Sequence, residues 1–183
     1  MFDPEPSNFV SPAFYIRHAV ASWEKAGAEE LRRQIFVREQ AVFEEHDRDE
    51  IDGHATTLVA ISTVAHEPDE IVGTVRIHEA EDGVWWGSRL AVRKDFRCVG
   101  RLGAELIRLA VSTATTRGCH MFLAYVQTQN VLLFRRLRWD VVESNVTIHG
   151  VTHARMKAQL HRYPPLERPA EGWLSLPKRA LAA

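Results

Sequence analysis

Apolar residues recur along this chain in two rhythms, and each change of rhythm marks a change of element. The run AFYIRHAV (13–20) alternates and predicts a strand. In WEKAGAEELRRQIFVREQ (23–40), Leu31 and Ile35 lie one turn apart and Ser22 is placed to cap, so a helix is expected. The polar, acidic VFEEHDRDEIDGHA (42–55) reads as a loop. TTLVAIST (56–63) and IVGTVRIHE (71–79) are β-rich runs around a turn at 66–70, the pattern of a hairpin. A further turn at 81–83 leads into a third long strand, VWWGSRLAV (84–92).

From Gly103 the rhythm changes. Ala104, Ile107, Ala110, Val111 and Ala114 recur at threes and fours, which predicts a buried helix face, and Gly118 is placed to end it. CHMFLAYVQ (119–127) has the continuous apolar character of a buried strand. NVLLFRRLRW (130–139) is a short helix, and 140–150 with 151–160 form a last hairpin around Gly150. Residues 1–12 read as a loose leader. The tail 161–183 carries four prolines beyond Arg162 and reads as an extended strap or a mobile end. A single domain over 13–160 follows, of mixed α/β (α+β) class, with an antiparallel meander joined to a βα crossover.

Composition changes this picture little. The chain has 183 residues, 45% hydrophobic and 26% charged, enough for one real core. A net charge of −1 provides no global field to recruit nucleic acid or an anionic membrane, so any anion site must be built locally. Cys98 and Cys119, 21 positions apart, make neither a disulfide framework nor a four-ligand zinc site, and no metal is expected. No run of 18 apolar residues occurs, and the acidic, proline-bearing start lacks the parts of a signal peptide. These features predict a soluble cytoplasmic protein.

Candidate chemistry concentrates in DFRCVGRLGAELIRLA (95–110). Strand, glycine turn and helix together present free backbone amides and a positive helix end, the setting for a phosphate or pyrophosphate. Gly100 and Gly103 let a ligand approach the backbone, and Arg93, Lys94, Arg97 and Arg101 surround the turn. A tight turn with a solvated basic rim has the same spacing. Neither a Gly-Lys-Ser/Thr phosphate loop nor a dinucleotide fingerprint is present.

RLAVRKDFRCVGRLGAELI (89–107) resembles the acyl-CoA-binding motif of the GNAT acetyltransferase superfamily: a strand ending in Ala-Val, then Arg/Gln-x-x-Gly-x-Gly/Ala, then a helix. Arg97, Gly100 and Gly103 hold those positions, with one residue more than usual between the glycines. YVQTQNVLLFRRLRW (125–139) resembles the second motif of that superfamily through Asn130 and Trp139. LRRQIFVREQAVFEEHDRDEIDGHA (31–55) is similar to a branch holding small acetyltransferases and acyl-homoserine lactone synthases. With HGVTHARMKAQLHRYPP (149–165) at its end, the chain resembles the bacterial nitrogen-starvation N-acetyltransferase subgroup.

The resemblance implies a mostly antiparallel central sheet, splayed between strands 84–92 and 119–127 and flanked by helices. Acetyl-CoA would be the co-substrate. Its pantetheine arm would pair with the backbone near Leu90 and Val92, and an amide near Val92 would polarise the thioester. Its pyrophosphate would take amides along Cys98, Val99, Gly100, Arg101, Leu102, Gly103 and Ala104, beside Arg97. The acceptor would be a small amine attacking directly. Phe134 stands where many relatives carry a tyrosine acid, so the usual proton donor for the leaving thiol is missing.

A free alkylammonium has a pKa near ~10.4, so some group must take its proton. His78, Glu79 and Glu81 at a strand end are candidates for that base, and so are Glu50, Asp52 and His54 in the acidic loop; solvated turn residues look the same in sequence. Asp47, Asp49, Glu50 and Asp52 are placed to attract a cationic acceptor, and His149 and His153 flank the final hairpin. Trp85 and Trp86 must face opposite sides of their strand. Three other readings remain open: a lactone-synthase-like acyltransferase, an acyl-CoA sensor without turnover, and a plain scaffold domain, against which the glycine-arginine turn argues; the tail is also long enough to exchange in a homodimer.

Overall fold

The computed structural model describes residues 13–99 and 101–176; the leader 1–12, Gly100 and residues 177–183 lie outside them. The chain order is β1 (Phe14–His18), α1 (Ser22–Arg32), β2 (Thr56–Val64), β3 (Glu67–Glu81), β4 (Val84–Val92), α2 (Leu102–Thr116), β5 (Met121–Gln127), α3 (Val131–Arg136), β6 (Trp139–Ile148), β7 (Val151–Ala158) and β8 (Trp173–Ser175). The strands form one open sheet in the order β6-β7-β5-β4-β3-β2-β1-β8. All neighbouring pairs are antiparallel except β4 and β5, which run parallel and are joined by α2, the crossover that a parallel pair needs.

Helices cover both faces. Under α2 lies the larger core, where Leu102, Leu106 and Leu109 meet Phe14, Leu58, Val72 and Phe122. On the other face, Ala28 and Leu31 of α1, with Ile35 just beyond it, pack on Val59, Ile61 and Ile71. Leu58, Val59, Ala60 and Ile61 are therefore all fully buried, which is why β2 reads as a continuous apolar run. Gly118 takes φ +86 just past α2 and ends it as expected, a conformation only glycine adopts without strain.

Three elements differ from the expectation. Ala21, not Ser22, is the residue before α1, and the Glu24 carboxylate accepts from the amides of Val20 and Ala21 at 2.7 and 2.8 Å. After Arg32 the helix widens to π geometry over Arg33–Glu39. The β2–β3 turn needs only Ala65 and His66, at φ 51 and 72, so β3 starts at Glu67 rather than at 71.

The described part of the tail is bound to the fold. Tyr163 is buried, its hydroxyl accepts from Trp139 Nε1 at 3.1 Å, and it donates to the Leu137 carbonyl. Strand β8 then pairs with the β1 edge, Phe14 opposite Ser175. Gly172, at φ +61, makes that possible: a Cβ there would lie 1.7 Å from the Ile16 carbonyl oxygen.

Candidate active site

The site is a split in the sheet. Pairing of β4 with β5 runs from Val84↔Met121 to Gly87↔Ala124 and stops there. Beyond that point β4 carries a bulge: Thr74 and Arg76 of β3 oppose Ala91 and Ser88, so β4 takes three steps against two. Arg89 lies in the bulge at φ 55, a left-handed conformation that costs a non-glycine residue about 1 kcal/mol or more. Its side chain holds it there. The guanidinium donates to the Asp47 carbonyl at 2.9 Å, pairs with the Asp47 and Asp49 carboxylates at 2.9 and 3.2 Å, and lies 4.7 Å over Phe43.

That contact belongs to a wider network. Arg32 bonds Asp47 at 2.7 Å and Asp52 at 2.6 Å; Arg76 bonds Asp49 at 2.6 Å, Asp52 at 2.9 Å and Ser88 at 3.0 Å. Three arginines thus neutralise three aspartates, with Arg76 only 1% exposed. Burial alone would raise the Asp52 carboxyl, but Arg32, the Asp49 amide and Arg76 outweigh it and hold the group far below the usual carboxylate range. Asp49 is lowered in the same way, burial being overcome by Arg76 and Arg89. Such carboxylates stay ionised and are poor proton acceptors. Of the four carboxylates expected to attract a cationic acceptor, Asp47, Asp49 and Asp52 are instead taken up by the arginines beneath them, while Glu50 stays exposed.

A cavity of about 470 Å³ passes through the split. On the α1 side its walls include Gln40, Phe43, Asp49, Arg76, His78, Trp86, Arg89, Tyr125, His149 and His153; on the α2 side they include Leu90, Ile107, Ala110, Phe122, Phe134 and Trp139. His78 is the base candidate that reaches it. Burial lowers the His78 pKa, and the nearby Arg76 and His54 lower it further, against a smaller opposing effect of Asp49. Its Nδ1 is buried without a partner among the described residues, and its ring meets His54 edge to face at 5.8 Å. Glu79 turns away: its carboxylate accepts from the Gly83 amide at 2.8 Å, and it does not line the cavity. Glu50 opens an exposed helical turn, Glu81 is exposed at the end of β3, and neither borders the cavity.

The residues expected to hold the cofactor fall at the wide end of the split. Leu90, Asn130 and Phe134 line the cavity. The Val92 carbonyl accepts from Arg97 Nε at 3.0 Å, and Arg97 also pairs with Glu39 at 2.6 Å. Cys98 is exposed in the turn. The Val99 amide donates to the Phe96 carbonyl at 3.1 Å, so it is already engaged. Arg101 precedes α2 at φ 57 without capping it by its side chain, and Leu102, Gly103 and Ala104 form the first turn, where a helix has unpaired amides. A Cβ on Gly103 would meet only Val92 Cγ2 at 3.9 Å, an ordinary contact, so the protein's own packing does not demand glycine there. Gly100 lies outside the described residues.

Sequence reasoning missed Arg76 and Arg89 as site residues. The signal was a charge inside strands whose neighbours are buried, which demands a buried partner. Trp86 does face the cavity, stacked on Tyr125 at 5.1 Å, while Trp85 is core. Gln127 donates to Gln40 at 3.1 Å across the α1-side mouth. Among the described residues no group of three His, Cys, Asp or Glu side chains converges as a metal site, and no helix is long and apolar enough to cross a membrane.

The sequence model of the acetyltransferase (GNAT) family matches residues 18–138. No curated protein sequence matches the chain. Solved structures share the fold at low identity. A putative N-acetyltransferase from Lactobacillus plantarum is 23% identical, with TM-score 0.71, over 80% of this chain and 98% of that one. Escherichia coli ElaA is 19% identical, with TM-score 0.67 and the same coverage of both chains. The CoA-dependent acyl-homoserine lactone synthase BjaI, solved with SAM and isopentyl-CoA, is 16% identical, with TM-score 0.63, over 82% of this chain and 86% of that one.

Proposed function

The chain belongs to the GNAT acetyltransferase family, and from that premise we propose that it transfers an acyl group, acetyl or another short one, from coenzyme A to the amine of a small molecule by direct attack. The observation that carries this reading is the split itself: parallel pairing ends at Gly87↔Ala124, and a cavity crosses the sheet from the α2 side to the α1 side. A thioester entering at the wide end of the split, past the first turn of α2, and an amine entering from the α1 side meet inside it. The diphosphate would rest against the first turn of α2, at Leu102, Gly103 and Ala104, where the helix end favours negative charge. Val99 is not among its donors, because its amide is spent on Phe96.

In this reading His78 takes the proton. The amine nitrogen attacks the thioester carbonyl carbon, the carbon–sulfur bond breaks, the nitrogen's proton passes to His78, and coenzyme A leaves as the thiolate. Burial and the Arg76 guanidinium keep His78 neutral, so it is available as an acceptor at neutral pH. Phe134 offers no acid, and a thiol of pKa near ~8.5 leaves without one. Asp52 and Asp49 serve as anchors for Arg76 rather than as bases. With Asp47, Asp49 and Asp52 paired to arginines, the acceptor is a small amine held by the aromatic and histidine walls of the cavity. The patterns over 31–55 and 149–165 together support placement in the nitrogen-starvation subgroup.

Incubation with acetyl-CoA and a panel of small amines, following free thiol, tests the reading. Amine-dependent thiol release is expected. Thermal stabilisation by acetyl-CoA without release would mean a sensor, and indifference to both ligands would end the assignment.

A further inference from the structure

Resting on the assignment of the split to a coenzyme A thioester, we propose that the acyl group carried is longer than acetyl and that its hydrocarbon tail fills the apolar end of the cavity beneath α2. The cavity has two unlike halves. The α1 side offers polar and charged groups, whereas Val75, Ile107, Ala110, Phe122, Phe134 and Trp139 form the wall on the other side. Each of these six is buried, between 1% and 6% exposed, so they are core side chains that border open volume. Cores are close-packed, and an apolar void loses stability in proportion to its size.

The void is built, not accidental. Ala110 on α2, Ala124 on β5 and Gly87 on β4 are small residues around it. The aromatic wall is braced from behind: Phe122 meets Trp139 edge to face at 5.7 Å, Phe134 meets it at 5.0 Å, and Trp139 Nε1 is fixed by Tyr163 at 3.1 Å. Phe122 also limits Gly87, where a Cβ would come within 3.0 Å of Cε1. The wall therefore does not collapse inward. Its six side chains offer no hydrogen-bonding atom to a guest, since the one indole N–H is taken. Away from the unpaired edges of β4 and β5, the amides of the pantetheine arm would be stranded against that wall. A saturated hydrocarbon chain would not, and an acetyl methyl alone would leave most of the wall bare.

Calorimetric titration of free coenzyme A and of its acetyl, butyryl, hexanoyl and octanoyl thioesters decides the matter. Each methylene buried should tighten binding about fourfold until the chamber is full. Ala110→Phe, which fills the chamber from α2, should lose that gain while still binding free coenzyme A. The wild-type series stands alone if that variant does not fold. Equal or weakening affinity from acetyl to octanoyl, with free coenzyme A bound, would overturn the chamber and leave the transferase reading intact. Equal loss of free coenzyme A and octanoyl-CoA in a folded Ala110→Phe chain would assign the space to the pantetheine arm instead. Failure of coenzyme A itself to bind the wild type would overturn both.

Discussion

His78 and His18 are both pushed below the ordinary histidine value, chiefly by burial, yet they make different predictions. His78 borders the cavity and must be neutral to accept a proton. Its lowered pKa places the acid limb of kcat/KM below the usual histidine range, and His78→Gln should cost about 100-fold in kcat and abolish that limb. An unchanged pH profile in the variant would remove His78 from the chemistry. His18 lies elsewhere, its Nε2 3.0 Å from Thr113 Oγ1, with its pKa down to about 4 from 6.5 through burial and then Arg117. Between those values the unfolded chain binds a proton that the folded one refuses. Stability therefore falls as pH drops from 6.5 toward 4, by roughly 2–3 kcal/mol. Urea melts across that window should show the loss in the wild type and a flatter profile in His18→Gln.

Elements show where sequence was sufficient and where it was not. Strand β4, helix α2 and its end at Gly118 were legible because their signals are local: alternation, period and a glycine stop. The acidic loop was misread because its meaning is non-local. Asp47 finds Arg32 and Arg89, 15 and 42 positions away, and no periodicity reports such pairs. Arg76→Ala would leave Asp49 and Asp52 short of a partner, so a loss of about 3 kcal/mol is expected in urea melts, and a change within half a kcal/mol would mean the network is not holding loop to sheet. The proline-rich tail hid β8 for a related reason: three residues, Trp173–Ser175, become a strand only because β1 offers an edge. Gly172→Ala should detach that strand, seen as faster amide exchange at Trp173–Ser175 with β2 and β3 still protected; unchanged protection would contradict the close approach at Ile16.

At the scale of the molecule, the fold keeps its charge local and its opening central. A net charge of −1 conceals three buried or half-buried arginines matched to three aspartates on one side of the sheet and an apolar chamber on the other. The sheet splits only where its one parallel pair, among the described residues, gives way to a bulge, and the first turn of α2 stands at that end. The most direct test is calorimetric titration of coenzyme A into the wild type and Gly103→Asp, with thermal melts of both. The protein packs nothing closer than 3.9 Å to a Cβ at Gly103, and an acidic side chain in the first turn suits the helix dipole, so the variant should keep its stability to within about 1 kcal/mol. It should nevertheless bind coenzyme A at least tenfold more weakly, because the added carboxylate repels the diphosphate at the amides it would use. Equal affinity in the two chains, or no binding by the wild type, would contradict the account.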